Sequence, residues 1–174
     1  RTFEVGLPSK SYVPQSRKGI NSVNYFKSLN LTDDYIYAMM QFETLDGDPK
    51  REQIDLLAAD NITLFEYHGD HTYYAKIPKP ILETKSYDFV RWIGIVEDPN
   101  SKINRDVNDF IKNSSSINVT LLFYERSTIS QIELVKTASN YIIFDSTLDF
   151  VDININTEKL SYLASLSFVN AIEL

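Results

Sequence analysis

Cysteine is absent from all 174 residues, so disulfides, thiolate metal sites and cysteine nucleophiles are excluded. Histidine is almost absent: His68 and His71 are the 2 present, which leaves little for an imidazole-based active site. The 5 glycines stand singly, so no glycine-rich loop is available to cradle a phosphate. No apolar run approaches the roughly 18 residues that a membrane span needs. Positive charge is thin as well, with 17 Lys and Arg against 24 Asp and Glu and a net charge of −7. Basic residues gather no further than adjacent pairs such as Arg17-Lys18. This balance argues against a nucleic-acid partner held through its phosphates. The expectation is therefore no nucleic acid and no membrane insertion.

What remains is apolar and aromatic. At 43% hydrophobic and 13% aromatic, the chain can build packed cores. It is also written twice. Gln53-Ile54-Asp55-Leu56 returns as Gln131-Ile132-Glu133-Leu134, and each copy passes an Asn (Asn61, Asn140) into an apolar run. Each copy closes on a matching phrase, Phe89-Val90-Arg91-Trp92-Ile93 against Phe168-Val169-Asn170-Ala171-Ile172. Two copies are too few for a solenoid, so the repeat points to two small domains of one kind.

Taken in order, residues 1–33 read as an extended N-terminal arm, with a short helical turn at Val23 to Leu29. Asp34 to Glu43 reads as a strand with Ile36, Ala38, Met40 and Phe42 on one face. Asp46-Gly47-Asp48-Pro49 reads as a turn that starts a helix, with Asp48 as cap. That helix runs to about Asp60 and turns Ile54, Leu57 and Ala58 inward. Ile62 to Tyr67 and Thr72 to Ile77 form a hairpin whose turn, His68-Gly69-Asp70-His71, has Gly at its centre. A helix at about Pro80 to Ser86 and a strand at Asp88 to Glu97 complete the first unit, 34–98. A polar linker, 99–116, holds a short amphipathic helix at Val107 to Ile111.

The second unit, 117–174, repeats the plan. Its strands are Ile117 to Tyr124, Tyr141 to Phe144, Leu148 to Ile155 and Phe168 onward. Its helices are Ile129 to Ser139, with Thr128 in the capping place, and Thr157 to Ser165. Strand-helix-strand-strand-helix-strand is solved by a four-stranded antiparallel sheet with both helices on one face. The fold class expected is α+β, two tandem ferredoxin-like (βαββαβ) units preceded by the extended arm.

Chemistry is sparse. His68, Asp70 and His71 share one hairpin and are the candidates for a divalent metal; their plainer reading is a polar turn facing water. No residue combination has the pattern of a nucleophile with its base, so no catalytic residue and no cofactor is expected. The strand aromatics Tyr35, Tyr37, Phe42, Tyr67, Tyr73 and Tyr74 can stack nucleic-acid bases, but without interleaved basic residues they read as core and interdomain packing. Four Asn-x-Ser/Thr sequons are present. Asn30, Asn61 and Asn113 are the candidate glycosylation sites, whereas Asn118 falls within a strand. Together with a first residue that is Arg1 rather than Met, they lean toward an exported, extracellular or cell-surface chain, processed or cut from a longer one.

The phrasing of each unit also resembles the N-terminal, propeptide-like region of secreted subtilisin-like serine proteases. The residues concerned are Tyr35 to Phe42, Ile62-Thr63-Leu64-Phe65-Glu66-Tyr67, Thr72 to Pro78, and the closing Phe89-Val90-Arg91-Trp92-Ile93. The second unit's Leu160 to Glu173 is similar, with Ala171 where the family has an aromatic, and Arg1-Thr2-Phe3 is similar to the start of such segments. The resemblance implies a noncatalytic protein-protein role, as chaperone, inhibitor or accessory domain of a subtilisin-like catalytic domain. It also implies docking through the end of the last strand, here Ile172, Glu173 and Leu174. The sequence stops at Leu174, so the inhibitory tail itself is not expected within it. Two other readings stand beside this one. Tandem units of this topology also serve as small-ligand regulatory modules, for which Asp46-Gly47-Asp48 is a loop of suitable kind. A structural spacer of a cell-surface protein is the other.

Overall fold

A computed structural model describes residues 3–43, 49–145 and 149–174. The chain divides into two compact units, one of Arg1–Gly6 with Ser11–Ile95 and one of Leu7–Lys10 with Val96–Leu174. Each holds a four-stranded antiparallel sheet built in the same order.

In the first unit the strands are β3 (Tyr35–Phe42), β4 (Thr63–Gly69), β5 (Thr72–Pro78) and β6 (Val90–Gly94), with helices α2 (Arg51–Ala59) and α3 (Lys79–Leu82). They are preceded by a hairpin, β1 (Val5–Leu7) and β2 (Lys10–Tyr12), and by helix α1 (Gly19–Ser28). The sheet runs β4-β5-β3-β6, the ferredoxin-like order in which the first and third strands of the unit lie at the centre. β3 pairs with β5 from Tyr35↔Pro78 to Gln41↔Thr72 and with β6 from Met39↔Gly94 to Phe42↔Val90. Strict alternation puts Ile36, Ala38, Met40 and Phe42 in one buried cluster with Phe26 of α1, Leu57 of α2 and Leu82 of α3. The helices therefore share that face of the sheet.

The second unit repeats this with β7 (Ser116–Phe123), α5 (Ile129–Ala138), β8 (Tyr141–Asp145), β9 (Phe150–Asn156), α6 (Leu160–Ser165) and β10 (Val169–Glu173), in the order β10-β7-β9-β8. Ile117, Val119, Leu121 and Phe123 alternate inward on β7, as do Val151, Ile153 and Ile155 on β9. Thr128 caps α5: its hydroxyl accepts from the Gln131 N–H at 3.2 Å while its own N–H donates to Gln131 Oε1 at 2.8 Å. This is a capping box that satisfies two otherwise orphan donors.

Several expectations need correction. Residues 1–33 do not form a bare extended arm. The apolar spacing Val23, Phe26 turns ten residues into α1 and buries both side chains. The stretch 99–116 is structured too, with 3-10 turns at Pro99–Lys102 and Ile111–Asn113 around helix α4 (Arg105–Phe110), and Val107 fully buried.

In α2 only Leu57 is buried; Ile54 is 39% exposed and Ala58 is exposed. The rotation of this helix is set at its C-terminal end. Asn61 N–H donates to the Ala58 carbonyl and Ile62 N–H to the Leu57 carbonyl, both at 3.0 Å, with Asn61 left-handed at φ 57°. This is a Schellman closure, and it draws Leu57 and Ile62 inward together. Asp60 is held in turn by Lys85 at 2.5 Å and the Tyr87 hydroxyl at 2.6 Å. Those two bonds keep its carboxyl below the usual range; burial and the same carboxylate push the Tyr87 phenol up.

The hairpin turn is centred one residue later than expected. β4 runs through Gly69, itself at φ 91°, and the two central residues Asp70 and His71 are at 43° and 61°, as in the primed turns that match strand twist. The Asp46-Gly47-Asp48 turn with its Asp48 cap, and Leu148 at the start of the third strand of unit two, lie outside the described residues. The residue flanking α2 is Lys50, whose N–H donates to Gln53 Oε1 at 2.9 Å.

Candidate functional site

The face of the first sheet that lies away from its helices is lined by Met39, Gln41, Tyr74 and Trp92, and the chain's own N-terminal residues lie against it. Gln41 is fully buried. Its Nε2 faces the Phe3 carbonyl at 3.2 Å and Thr72 Oγ1 at 3.1 Å, while its Oε1 accepts from Arg91 Nη1 at 2.7 Å. Arg91 also donates to the Pro14 carbonyl at 2.9 Å and lies over the Phe3 ring at 4.2 Å. Tyr12 meets Trp92 edge-on at 6.1 Å. A buried amide is tolerated here because its donors and its acceptor are all engaged.

The three candidate metal ligands belong to this same seam. His68 Nε2 meets the Gly6 carbonyl, and its ring lies 4.5 Å from that of Tyr74. Burial, with Glu66 nearby, pushes the Tyr74 phenol up to about 12. Asp70 Oδ2 accepts from the Glu4 N–H at 3.0 Å, and the His71 carbonyl accepts from the Phe42 N–H at 2.9 Å. His68 and Asp70 thus hold Gly6 and Glu4 by separate contacts, and the His71 ring lies 5.9 Å from that of Phe3. Among the described residues no three His, Asp or Glu side chains converge as a metal group would require.

Strand edges are where such sheets accept other chains. In each unit, however, the last strand is sealed from outside by residues that precede the unit. In the first, Arg17 N–H donates to the Arg91 carbonyl at 3.0 Å and Arg17 Nη2 to the Ile93 carbonyl at 2.7 Å. In the second, Ile103 bridges Ile172 in parallel and Asn104 N–H donates to the Ile172 carbonyl at 2.9 Å. Ile93 and Ile172 are equivalent positions of the repeat, and the same carbonyl is covered in both copies, by the Arg17 side chain in the first and by the Asn104 main chain in the second. Ile172, Glu173 and Leu174 are therefore not an open docking edge at their start: Ile172 is buried and bonded, Glu173 is half-buried, and exposure begins at Leu174.

The outer strands at the other end are β4 and β8. β4 carries Glu66 and His68, with the Gly6 carbonyl at His68. β8 is different. Tyr141 is 58% exposed, Ile143 48% and Phe144 53%, four consecutive uncharged residues precede Asp145, and the pairing with β9 slips between Ile142 and Phe144. Beside it the open sheet face carries an amide ladder. Asn140 Nδ2 donates to Asn154 Oδ1 at 2.8 Å and to Asn156 Oδ1 at 3.0 Å, and Asn154 Nδ2 donates to Asn118 Oδ1 at 2.7 Å. Neither feature is among the site residues expected from the sequence. The signal for the edge was the uncharged run Tyr141-Ile142-Ile143-Phe144; for the ladder it was Asn at alternate positions, 154 and 156.

A buried cation completes the second unit. Lys102 is 6% exposed, donates to the Leu166 carbonyl at 3.1 Å and lies 5.8 Å from the Tyr124 ring. Burial lowers its ammonium to about 8. All four sequon residues are exposed; Asn30 and Asn61 have left-handed backbone at φ 50° and 57°, and Asn118 is tied into the ladder in mid-strand.

The helical part of each lead-in also repeats in the sequence: Ile20-Asn21-Ser22-Val23-Asn24-Tyr25-Phe26 reappears, with one insertion, as Ile103-Asn104-Arg105-Asp106-Val107-Asn108-Asp109-Phe110. The repeated unit is thus longer than βαββαβ and includes a lead-in helix. No curated protein and no solved structure matches the chain. A family described as a domain of unknown function, DUF8729, matches residues 6–97, which takes in both α1 and the first sheet. That match spans more than half of the 174 residues, and the chain belongs to the DUF8729 family.

Proposed function

We propose that this chain is a noncatalytic protein-binding module of an exported protein, which takes an extended segment of its partner onto the outer edge of β8. The observation that carries the reading is the contrast between edges. The carbonyls of Ile93 and Ile172 are covered by the chain itself, whereas β8 has one neighbour and presents Tyr141, Ile143 and Phe144 outward without a Lys or Pro to discourage pairing. Unprotected, uncharged edges of this kind pair readily with another strand. Main-chain bonds supply the affinity and alternate side chains the selectivity. Use of Ile172 to Leu174 as a propeptide-like docking end would have to displace the Asn104 bond, which favours β8.

The resemblance names the first partner to try, a subtilisin-like catalytic domain. Its binding to the chain is measured by analytical ultracentrifugation, and the bound face is mapped by amide hydrogen exchange. A library of extended peptides is tested in parallel. Slowed exchange at Tyr141 to Asp145, lost in Ile143→Pro, is the expected result. Protection elsewhere, or no binding to either the domain or the peptides, would remove the edge reading. Peptide binding without protease binding would remove the partner alone.

A further inference from the structure

The helix side of the second unit holds a groove of about 270 Å³ lined by Leu134, Thr137 and Ala138 of α5 together with Lys159 and Tyr162. We infer that this groove binds a small apolar carboxylate, one ring or short aliphatic chain bearing a single negative charge. The argument rests on shape and charge. A cavity of about 150 Å³ already holds a benzene ring, so this space takes a group of that size with a short polar end and little more. The walls offer few competing polar groups: Leu134 and Tyr162 are large and about half exposed, and the Thr137 hydroxyl donates to the Glu133 carbonyl at 2.8 Å.

Lys159 is one of the lining residues; it is half-buried and forms no ion pair among the described residues. Lys136, nearby in sequence on α5, is matched with Glu133 at 2.9 Å. An unmatched cation beside an apolar wall complements one carboxylate, a local attraction that acts against the net charge of −7 of the chain. A phosphate would call for several donors or a glycine-rich backbone loop, which this lining lacks. A neutral apolar ligand would cover Lys159 without pairing it, at a desolvation cost. This site is distinct from the β8 edge, and neither proposal rests on the other.

The test is an NMR titration of the isotopically labelled chain with 4-phenylbutanoate and, separately, with 4-phenylbutanamide. Saturable amide shifts centred on 134–138 and 159–162 are expected for the acid. The amide should bind about fivefold more weakly, the size of an exposed charge pair. Lys159→Met, which keeps the apolar stem, should bring the acid down to the affinity of the amide. Leu134→Ser, at an exposed position, should weaken both ligands. Unchanged spectra of the two free variants would show that each still folds. Equal affinity for acid and amide, indifference to Lys159→Met, or no saturation in the millimolar range would each overturn the inference.

Discussion

Arg17 Nη2 donates to the Ile93 carbonyl at 2.7 Å while the same guanidinium lies 3.4 Å from the centre of the Tyr25 ring. One side chain thus closes the last strand of the first sheet and fixes the helix that follows the lead-in. Among the described residues its Nε is buried without a hydrogen-bond partner, so the arrangement carries a cost as well as a gain.

Replacing Arg17 should therefore weaken the first unit. A hydrogen bond to a charged donor contributes about 1.5–3 kcal/mol, and the ring contact adds to it. Arg17→Ala is expected to lose about 2 kcal/mol in urea unfolding, on that scale. Arg17→Lys should recover part of the loss, since a lysine keeps charge but not the planar stack. Trp92, the single tryptophan, sits next to Ile93 and reports the transition by fluorescence. No change in the unfolding midpoint for Arg17→Ala would show that the contact is idle.

Lys102 sets a pH dependence of definite sign. Its ammonium is lowered by burial from 10.5 to about 8. Below about pH 8 it is protonated in both the folded and unfolded states, and the full desolvation penalty applies. Between about 8 and 10.5 the unfolded chain holds more protons, so this group makes stability rise with pH. The span is worth a few kcal/mol, at about 1.4 kcal/mol per unit. Lys102→Met should be more stable than the parent at pH 7, with the difference shrinking toward pH 10. Parallel stability curves for the two proteins would refute this.

Gly94 is a packing requirement. A Cβ built there would lie 1.8 Å from Trp92 Cζ2, so Gly94→Ala must move the indole or the strand. Overpacking of this kind costs about 1–3 kcal/mol. A red-shifted Trp92 emission together with a lower unfolding midpoint is the expected pair of readouts; an unshifted emission would mean that the indole already has room.

Glycan attachment separates the sequons. In a secretory host Asn30, Asn61 and Asn113 are expected to gain mass by peptide mapping. Asn118 should stay bare, because its Oδ1 accepts from Asn154 in mid-strand. A glycan on Asn118, or none on the other three, would count against this reading of the surface and of export.

Much of the fold could be read from the residues because the repeat fell on its core. Ile36, Ala38, Met40 and Phe42 recur at every second position within a run that is apolar on both faces, the pattern of a central strand, and Met39 is buried on the opposite face. The capping box at Thr128 was visible for a similar reason, since its partner Gln131 stands three positions on. The face of α2 was not legible. A helix that buries one side chain is oriented by the bonds at its end, here those of Asn61 and Asp60, and Asp60 depends on Lys85 and Tyr87 far along the chain. Gln41 was equally hidden. Nothing adjacent marks it as buried, because the atoms that satisfy it come from Phe3, Thr72 and Arg91. The β8 edge carried a signal in its uncharged run, but an uncharged run reads the same in a central strand until the sheet order is known.

The cover over Ile93 and Ile172 has an evolutionary consequence. A copy that arrives with its own lid on its last strand can be duplicated in tandem without presenting a fresh sticky margin to its twin. Gene duplication of a bare βαββαβ unit would have created two such margins at once and invited fusion of the sheets or aggregation of the product. With a covering segment ahead of each copy, the last strand is closed in both, and divergence between the copies is left to the surfaces that remain.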